Sequence, residues 1–380
     1  MPTFSLCMIV KNEAAILGRC LNSVGTALFD EIIIADTGSD DQTKAVAAAY
    51  TDKIYDFIWK DDFAEARNFA FSKATCDYIM WLDADDVIAP KDLEQLLDFK
   101  ASMPPENDPH APDVVMMKYD TAFDENDHVT FTYYRERLIR RRGHFLWEGA
   151  VHEVITPRGR IAFLPAAVQH RKIISGYTMR NLRIYESMQK NGGILSPRHQ
   201  FYYARELYSH QFYARALRQF KYFLTLKDGW SENKIDACRL ASDCCLHLSQ
   251  KEEALTLLFQ AMRYGVPGAE LCCDLGRWFY SENLLHQAVY WYEQALACPR
   301  SDTVGKFISE DCYGYIPYMW LCVCYDALGD HQKAFSCNEA AGKIKPYSAA
   351  YLWNKKYFDS VFLTFFAILD YCMKKSVKII

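Results

Sequence analysis

The stretch "DYIMWLDADDVIAP" (residues 77–90) joins an apolar segment to a cluster of carboxylates. Its first part has the length and composition of a buried strand, and Asp83, Asp85 and Asp86 follow it. Because residues i and i+2 of a strand share a face, Asp83 and Asp85 are predicted to reach one site, with Asp86 in a structural role on the other face. Like charges this close repel one another unless a cation lies among them. The stretch therefore predicts a strand that delivers two carboxylates to a bound cation.

Strands and helices alternate on either side of this stretch. Repeated β-α-β units imply a mainly parallel, Rossmann-like sheet, so the expected fold class of this part is α/β. The predicted strands are "FSLCMIV" (4–10), "DEIIIAD" (30–36), "KIYDFIW" (53–59) and "DYIMWL" (77–82). The predicted helices are "AAILGRCLNSV" (14–24), "TKAVAAAY" (43–50), "FAEARNFAFSKA" (63–74) and "PKDLEQLLDFK" (90–100).

Polar clusters follow the predicted strands. In sheets of this kind, ligands bind outside the carboxyl ends of the strands. Any one cluster could simply close a turn, but four at the same sheet edge predict a ligand site. The sequence contains no G-x-G-x-x-G or Walker loop, so neither a dinucleotide site nor a P-loop is expected. The clusters are Lys11–Glu13, Asp36–Asp41, Asp61–Asp62 and Asp83–Asp86.

Four strand-like segments follow a Pro-rich loop at residues 101–112. They are expected to wrap the edge of the sheet and to complete the site. The segments are "DVVMMKYDTAF" (113–123), "HVTFTYYRERLIRR" (128–141), "WEGAVHEVI" (147–155) and "RIAFLPAAVQH" (160–170).

From about Arg198 the pattern becomes wholly helical. Ala254 and Ala288 are 34 residues apart, as are Ala261 and Ala295. Small residues at this period, with Pro at the ends of units, indicate an all-α region of roughly four tetratricopeptide repeats. The predicted organisation is an α/β domain at 1–175, a helical linker at 176–197, tetratricopeptide-like repeats at 198–347 and C-terminal capping helices at 348–380.

Composition narrows the class of protein. The 380 residues exceed one ordinary core, and the net charge of −5 without a Lys/Arg stripe argues against a nucleic-acid partner. The fourteen cysteines lack zinc-site spacing and the N-terminus lacks a basic signal pattern, which together predict reduced thiols and a cytoplasmic location. The apolar run Val361–Leu369 is too short to span a bilayer. A closing helix is expected there, with peripheral contact to the inner face of the membrane as the alternative.

The D-x-D pattern of Asp83 and Asp85 has a chemical interpretation. Hard divalent cations take carboxylate oxygens, and Mg²⁺ combines few protein ligands with substrate phosphates. Such a cation neutralises a leaving diphosphate. Mg²⁺ or Mn²⁺ is therefore the expected cofactor.

Four sequence blocks follow one another along the first part of the chain: "CMIVKNE" (7–13), "ADTGSDDQT" (35–43), "DDFAEARN" (61–68) and "WLDADD" (81–86). In this order they resemble the inverting family 2 glycosyltransferases of the GT-A fold, over roughly residues 1–175. Combined with the repeats, the chain is similar to bacterial sublancin-type peptide S-glycosyltransferases and to enzymes that modify flagellin or other proteins. The resemblance implies transfer of a sugar from a nucleotide diphosphate sugar, expected to be a UDP-sugar, to a protein or peptide acceptor.

The resemblance also implies roles for residues in these blocks. Asp85 would ligate the metal, Asp83 would hold the ribose or a metal-bound water, and Arg67 would contact the nucleotide and its phosphates. A carboxylate suits a uracil N–H or a ribose hydroxyl, and a guanidinium suits phosphate. The alternative for Arg67 is a salt bridge on its own helix. The residues expected to line the rest of the nucleotide pocket are Val10, Asn12, Glu13 and Asp36.

The block "WEGAVHE" (147–153) resembles another segment of the family. His152 would contact the metal or the diphosphate, and Glu153 or Glu148 would be the general base that removes a proton from the acceptor. Trp147 would either stack on the sugar or pack in the core. Relatives usually place a histidine close before a Gly-Tyr pair. Here His170 is separated from Gly176–Tyr177, so the resemblance leaves its role at the metal open.

Two other functions remain open at this point. The acceptor could be a polysaccharide or a lipid-linked glycan of the cell envelope, or the chain could be a non-enzymatic scaffold. The scaffold hypothesis predicts lost site residues, and Asp36, Arg67 and Asp85 are all present. The sequence leaves the sugar, the acceptor atom and the oligomeric state open, with a homodimer through the repeats as one expectation.

Overall fold

The computed structural model describes residues 1–172, 178–300 and 306–360. The described chain divides into two compact units. The first comprises the described residues of Met1–Asn233 and Asp302–Ile308, and the second those of Lys234–Ser301 and Ser309–Ile380. The first unit therefore extends beyond residue 175, and the predicted domain boundaries stay a prediction.

One sheet organises the first unit, with the strand order β3-β2-β1-β4-β7-β6-β8-β5. β2 and β4 flank β1 in parallel, and β3 continues the parallel half beside β2. The strands of the chain are β1 (Phe4–Val10), β2 (Glu31–Asp36), β3 (Ile54–Asp56), β4 (Tyr78–Trp81), β5 (Asp86–Val87), β6 (Val114–Phe123), β7 (Val129–Arg140), β8 (Ile161–His170) and β9 (Ile308–Ser309).

Helices cover both faces of this parallel half, as the β-α-β pattern predicts. The continuous apolar sequence of β1 follows from this, because Leu6 and Met8 pack on one face while Cys7 packs on the other. The helices of the first part are α1 (Leu17–Ser23), α2 (Thr43–Ala47), α3 (Phe63–Ser72) and α4 (Pro90–Ser102). They are followed by α5 (Arg180–Lys190), α6 (Pro197–Ser209) and α7 (Tyr213–Thr225), which belong to the same compact unit.

The expectation that residues 113–170 wrap the sheet edge is wrong. β6, β7 and β8 extend the sheet itself, with β7 antiparallel to β4 and β6, and β8 parallel to β6. The reason is that β6 is apolar on both faces. Val115 and Met117 pack into one core cluster, and Val114 and Met116 into the other.

The segment at residues 147–155 does not form the predicted strand. It makes one isolated bridge between Glu148 and Val154. Positive φ angles at Gly149 (101°) and His152 (52°) bend the backbone between them, which is incompatible with an extended strand. In an extended segment His152 and Glu153 would point to opposite faces, and this bend removes that constraint.

The second unit is helical. Its helices lie in consecutive pairs, and the recurring small residues mark where the helices cross. Gly276 shows this, because a Cβ built there would lie 2.7 Å from the ring of Tyr292. Ala288 and Ala295 are likewise fully buried. The helices are α8 (Ser231–His247), α9 (Lys251–Ala261), α10 (Ala269–Ser281), α11 (Leu285–Ala297), α12 (Tyr315–Ala327) and α13 (His331–Ile344).

The fold-class prediction is confirmed: an α/β domain with a mainly parallel N-terminal half precedes an all-α repeat-like region. Residues 349–360 are helical, and the prediction of capping helices at 348–380 stays a prediction. The run Val361–Leu369, expected to form a closing helix, lies outside the described residues. Within the described ranges, no helix combines the length and the apolar character needed to cross a bilayer.

Candidate active site

A cavity of about 380 Å³ opens at the carboxyl ends of β1 and β4. This is the sheet edge at which the sequence places its polar clusters. The cavity is lined by seven of the predicted site residues, which come from separate parts of the chain. These are Val10, Glu13, Arg67, Asp83, Asp85, His152 and Glu153.

Asp83 and Asp85 lie on a turn and not on the strand itself, because β4 ends at Trp81. Asp86 closes this turn, since its Oδ2 accepts a hydrogen bond of 3.0 Å from the backbone N–H of Asp83. Asp86 is fully buried, and its carboxylate also accepts from Arg137 (3.0 Å) and from the hydroxyl of Tyr119 (2.9 Å). The predicted structural role of Asp86 agrees with these contacts.

Arg67 connects the Asp83 turn to the segment around Glu153. Its Nη2 donates to Asp83 Oδ1 and its Nε to Glu153 Oε1, both at 2.6 Å. The guanidinium carbon lies 4.8 Å from the ring centroids of both Trp81 and Trp147. The alternative of a salt bridge on its own helix is therefore wrong. The Asp62 side chain instead caps α3 by accepting from the N–H of Glu65.

The buried ion pair controls the charge of Asp83. Burial alone would raise the pKa of Asp83, but the guanidinium of Arg67 outweighs burial and lowers it below the ordinary value. Glu13 is in the opposite situation. Burial, followed by the charges of Asp85 and Asp83, raises the pKa of Glu13 to about 7. The cavity therefore contains two kinds of carboxyl group. Asp83 is held ionised, whereas Glu13 has a pKa close to physiological pH.

His170 lies beside Asp85, where the sequence did not place it. Its Nδ1 is 3.2 Å from Asp85 Oδ1, 3.6 Å from Asp86 Oδ1 and 3.0 Å from the hydroxyl of Tyr119. Burial alone would lower the pKa of His170, but hydrogen bonds to Asp85 and Asp86 raise it to about 10. The position of His170 follows from the antiparallel pairing of β5 with β8. Its distance along the chain from Gly176–Tyr177, which lie outside the described residues, therefore does not keep it from Asp85.

Asp85, Asp86 and His170 form the one group in the described ranges that could hold a metal ion, with ligand atoms within 4.8 Å of one another. Carboxylate oxygens with one imidazole suit a divalent cation such as Mn²⁺. Asp85 and His170 line the cavity, whereas Asp86 lies behind them and is fully buried. Asp83 and His152, the other predicted ligands, lie outside this group. Asp83 pairs with Arg67, and His152 pairs with Glu206.

Asp36 and Asn12 border the cavity without lining it. Asp36 is fully buried at the end of β2, and its Oδ1 accepts from the N–H groups of Gly38 and Ser39. Its Oδ2 is buried and accepts no hydrogen bond from the described part of the chain. A buried acceptor of this kind suits a donor group on a ligand. Asn12 is exposed and ties two loops together by accepting from the N–H of Asp40 (2.9 Å).

The two glutamates of the 147–153 block occupy different environments. Glu153 lines the cavity with 11% of its side chain exposed, whereas Glu148 is exposed and lies outside the lining. Trp147 is only 2% exposed and packs edge-to-face on Trp81 (4.9 Å between centroids). Its ring packs against the guanidinium of Arg67, and it does not line the cavity.

Several cavity residues carry no sequence motif. Arg180, the first residue of α5, faces the cavity from the predicted linker, with its guanidinium carbon 4.6 Å from the ring of Phe63. No described carboxylate lies within ion-pair distance of Arg180, and burial lowers its pKa. Nothing in the local pattern indicates a site there, because Arg180 lies outside every block that resembles the family. Other lining residues that sequence reasoning missed include Trp59, Tyr119, Arg135, His170, Lys172 and Asn181.

Comparison with known proteins identifies the domain that holds most of this cavity. Residues 5–157 match the family model of glycosyl transferase family 2. A TPR repeat-containing protein of Synechococcus elongatus is 35% identical over 155 residues, which cover 41% of this chain and 36% of that protein. The prophage-derived glycosyltransferase SunS of Bacillus subtilis is 39% identical over 88 residues, 23% of this chain and 21% of that protein.

The chain thus aligns with about a third and a fifth of these relatives' lengths. TarS of S. aureus is a similar solved structure, with a TM-score of 0.35 and 15% identity over 64% of this chain and 49% of TarS. The prediction of a glycosyltransferase domain is confirmed by the family match. Residues 5–157 of this chain form a domain that matches glycosyl transferase family 2.

Proposed function

We propose that the chain is an inverting glycosyltransferase that moves a sugar from a nucleotide diphosphate sugar to a protein or peptide. The observation that carries the proposal is the cavity itself. It brings Asp85, in the part of the chain that matches family 2, and His170 together with the Asp83–Arg67–Glu153 ion-pair network. A donor with an anionic diphosphate and a polar sugar needs both kinds of group in one place.

The donor is proposed to be a UDP-sugar. The unpartnered Oδ2 of Asp36 would accept from the uracil N–H or a ribose hydroxyl, beside Thr37 in the cavity wall. Arg180 and Lys172 line the same cavity and have no carboxylate partner among the described residues, so they would neutralise the diphosphate. Glu13 and Val10 would border the nucleoside.

The proposed cofactor is Mn²⁺ or Mg²⁺, held by Asp85 and His170 with Asp86 behind them. When bound, the cation neutralises negative charge that develops on the leaving diphosphate. The chain's own contribution is to keep these ligands oriented. Asp86 is fixed by Arg137 and Tyr119, and the hydroxyl of Tyr119 also contacts His170.

Glu153 is proposed as the general base. It faces the cavity, and the hydrogen bond from Arg67 to its Oε1 fixes the orientation of the carboxylate. In the transfer step, Glu153 removes the proton from the acceptor atom as that atom bonds to the anomeric carbon. The bond from that carbon to the diphosphate breaks, and its electron pair leaves with the diphosphate. Glu148 lies outside the cavity and is not assigned this role.

The protein or peptide acceptor is proposed from the helical second unit. Arrays of paired helices present extended surfaces that hold peptides. We also propose a cytoplasmic location, supported by thirteen described cysteines that are all free thiols. Peripheral contact with the membrane and formation of a homodimer through the repeats are further hypotheses.

The test is a donor screen. Purified protein is incubated with a panel of UDP-sugars, with Mn²⁺, with Mg²⁺ or with EDTA, and release of UDP is measured with and without candidate peptides. We expect UDP release with one donor and one of the two cations, stimulated by an acceptor peptide. Asp85→Asn and Glu153→Gln should each reduce the rate of UDP release by at least about 100-fold. A panel in which no donor is hydrolysed or transferred under any condition would refute the proposal.

A further inference from the structure

His152 has an unusual backbone conformation. Its φ of 52° lies in the left-handed region, which is strained for a non-glycine residue and persists only when its surroundings stabilise it. The residue lines the cavity, so the strain lies at the proposed site. Contacts with His152 must therefore offset this strain.

Those contacts come from one face of α6. Arg198, Tyr202 and Glu206 are spaced by four residues and so project from the same side of the helix. Arg198 donates from Nη2 to the carbonyl of His152 at 3.3 Å. The Tyr202 ring stacks on the imidazole, with centroids 4.3 Å apart and planes 17° from parallel. Glu206 Oε1 lies 2.7 Å from His152 Nε2. The three side chains hold the backbone, the ring face and one ring nitrogen.

The Glu206 carboxylate is held in position beside His152 by its burial and by a second hydrogen bond. It is buried, with 8% of the residue exposed, and it accepts a second hydrogen bond of 3.0 Å from Asn181 of α5. Burial alone would raise the pKa of Glu206, but its contacts with His152, Asn181 and His210 together outweigh burial and lower it. An ionised carboxylate can only accept, so the proton of this hydrogen bond resides on His152 Nε2. The other ring nitrogen, Nδ1, has no partner among the described residues.

We propose that Glu206 is a positioning residue for His152, and that α6 thereby completes an active site begun by the family 2 domain. The inference rests on the proposed function for its catalytic consequence. Glu206 fixes the orientation of the ring and keeps the proton on Nε2. Nδ1 is left to accept a hydrogen bond from a substrate hydroxyl or amide. The face Arg198–Tyr202–Glu206 lies beyond residue 157, so the matched family domain does not contain it.

The first test uses NMR and needs no activity. In the wild-type protein we expect a slowly exchanging ring N–H signal from His152 Nε2, identified by its absence in His152→Gln. Glu206→Leu should abolish the signal. The matched control is Glu186→Leu, which removes a carboxylate that pairs with Arg215 at 2.6 Å in the same unit and should leave the signal unchanged. A signal that persists in Glu206→Leu overturns the inference.

The second test separates positioning from a merely structural role. Loss of an outer partner of a functional histidine costs typically about 10- to 100-fold. We expect Glu206→Leu to lower kcat by about 100-fold, with the donor KM changed less than about 2-fold. Glu206→Gln keeps an acceptor for Nε2–H and should retain about a tenth of kcat. Glu186→Leu should retain nearly all of it.

The outcomes are distinguishable. Equal kcat values for Glu206→Leu and Glu186→Leu, in protein with unchanged thermal melting, refute the positioning role. If Glu206→Leu fails to fold, Glu206→Gln still tests it, and a Gln variant with full kcat contradicts a need for the carboxylate charge. If the wild type transfers no sugar at all, the proposed function fails while the NMR test still decides the contact.

Discussion

Asp86 and His170 are register partners in the antiparallel pairing of β5 with β8. The pairing brings His170 Nδ1 within 3.2 Å of Asp85, which lies next to Asp86 in the Asp83–Asp86 turn. A residue at the end of β8 thus joins a turn that follows β4. The metal ligands proposed here depend on this register.

The first prediction concerns cation binding. A ligand at about 100 times its Kd stabilises the folded state by about 2.7 kcal/mol, so Mn²⁺ with UDP should raise the Tm of the wild type. His170→Ala and Asp85→Asn should lose most of the rise, measured by calorimetry with and without EDTA. The control is His128→Ala. His128 is about half exposed, does not line the cavity, and its Nδ1 lies 3.3 Å from Asp124 Oδ2. An undiminished rise in His170→Ala would remove His170 from the metal site.

The parts of this site that the sequence predicts are those carried by local pattern. Apolar strands followed by polar clusters predict Asp83 and Asp85 at one sheet edge, and the family resemblance adds Arg67. All three line the cavity. His170 could not be placed, because its position depends on pairing between strands distant in sequence. Arg180 and Glu206 could not be placed either, since their helices lie outside every recognised block.

The choice between Glu148 and Glu153 shows a different limit. An extended segment would alternate its side chains between two faces. Positive φ angles at Gly149 and His152 break that alternation, so face assignments from sequence do not hold. The cavity contains Glu153 and not Glu148 because of this bend. The same bend explains why the strand predicted at residues 147–155 does not form.

The second prediction concerns the buried ion pairs of Arg67. Removing one partner of a buried charge network leaves the others uncompensated, which typically costs about 3–5 kcal/mol. Arg67→Met should therefore lower the free energy of unfolding of the first unit by about 3 kcal/mol, measured by urea denaturation. The control is Lys60→Met. Lys60 pairs with Glu65 at the surface, so its loss should cost less than about 1 kcal/mol. Equal losses in the two variants would contradict a buried network at Arg67.

The third prediction is a pH dependence that arises away from the cavity. Burial alone would raise the pKa of Glu31, but hydrogen bonds from Lys53, Ser5 and Thr75 outweigh burial and lower it to about 2. A depressed pKa contributes stability that is complete above the ordinary value of 4.5 and is lost as the pH falls through about 2. Glu31→Gln should therefore be less stable than the wild type at pH 7, by on the order of 2–3 kcal/mol.

The measurement for Glu31 is urea denaturation at a series of pH values. The difference between Glu31→Gln and the wild type should narrow as the pH falls below 4.5. Glu65→Gln serves as the control, because Glu65 pairs with Lys60 at the surface and should contribute less than about 1 kcal/mol at any pH. A gap for Glu31→Gln that stays constant with pH would show that its hydrogen bonds do not depend on the carboxylate charge.

The fourth prediction tests the helix crossing in the second unit. A Cβ at Gly276 would lie 2.7 Å from the Tyr292 ring, so Gly276→Ala forces α10 and α11 apart. Overpacking of this kind typically costs about 1–3 kcal/mol. Gly18→Ala is the matched control, because the nearest atom to its Cβ is 3.5 Å away and alanine favours a helix. Calorimetry should show a lower Tm for the transition of the second unit in Gly276→Ala and no loss in Gly18→Ala. If Gly276→Ala is as stable as the wild type, Gly276 is not the close crossing point that the repeat-like packing requires.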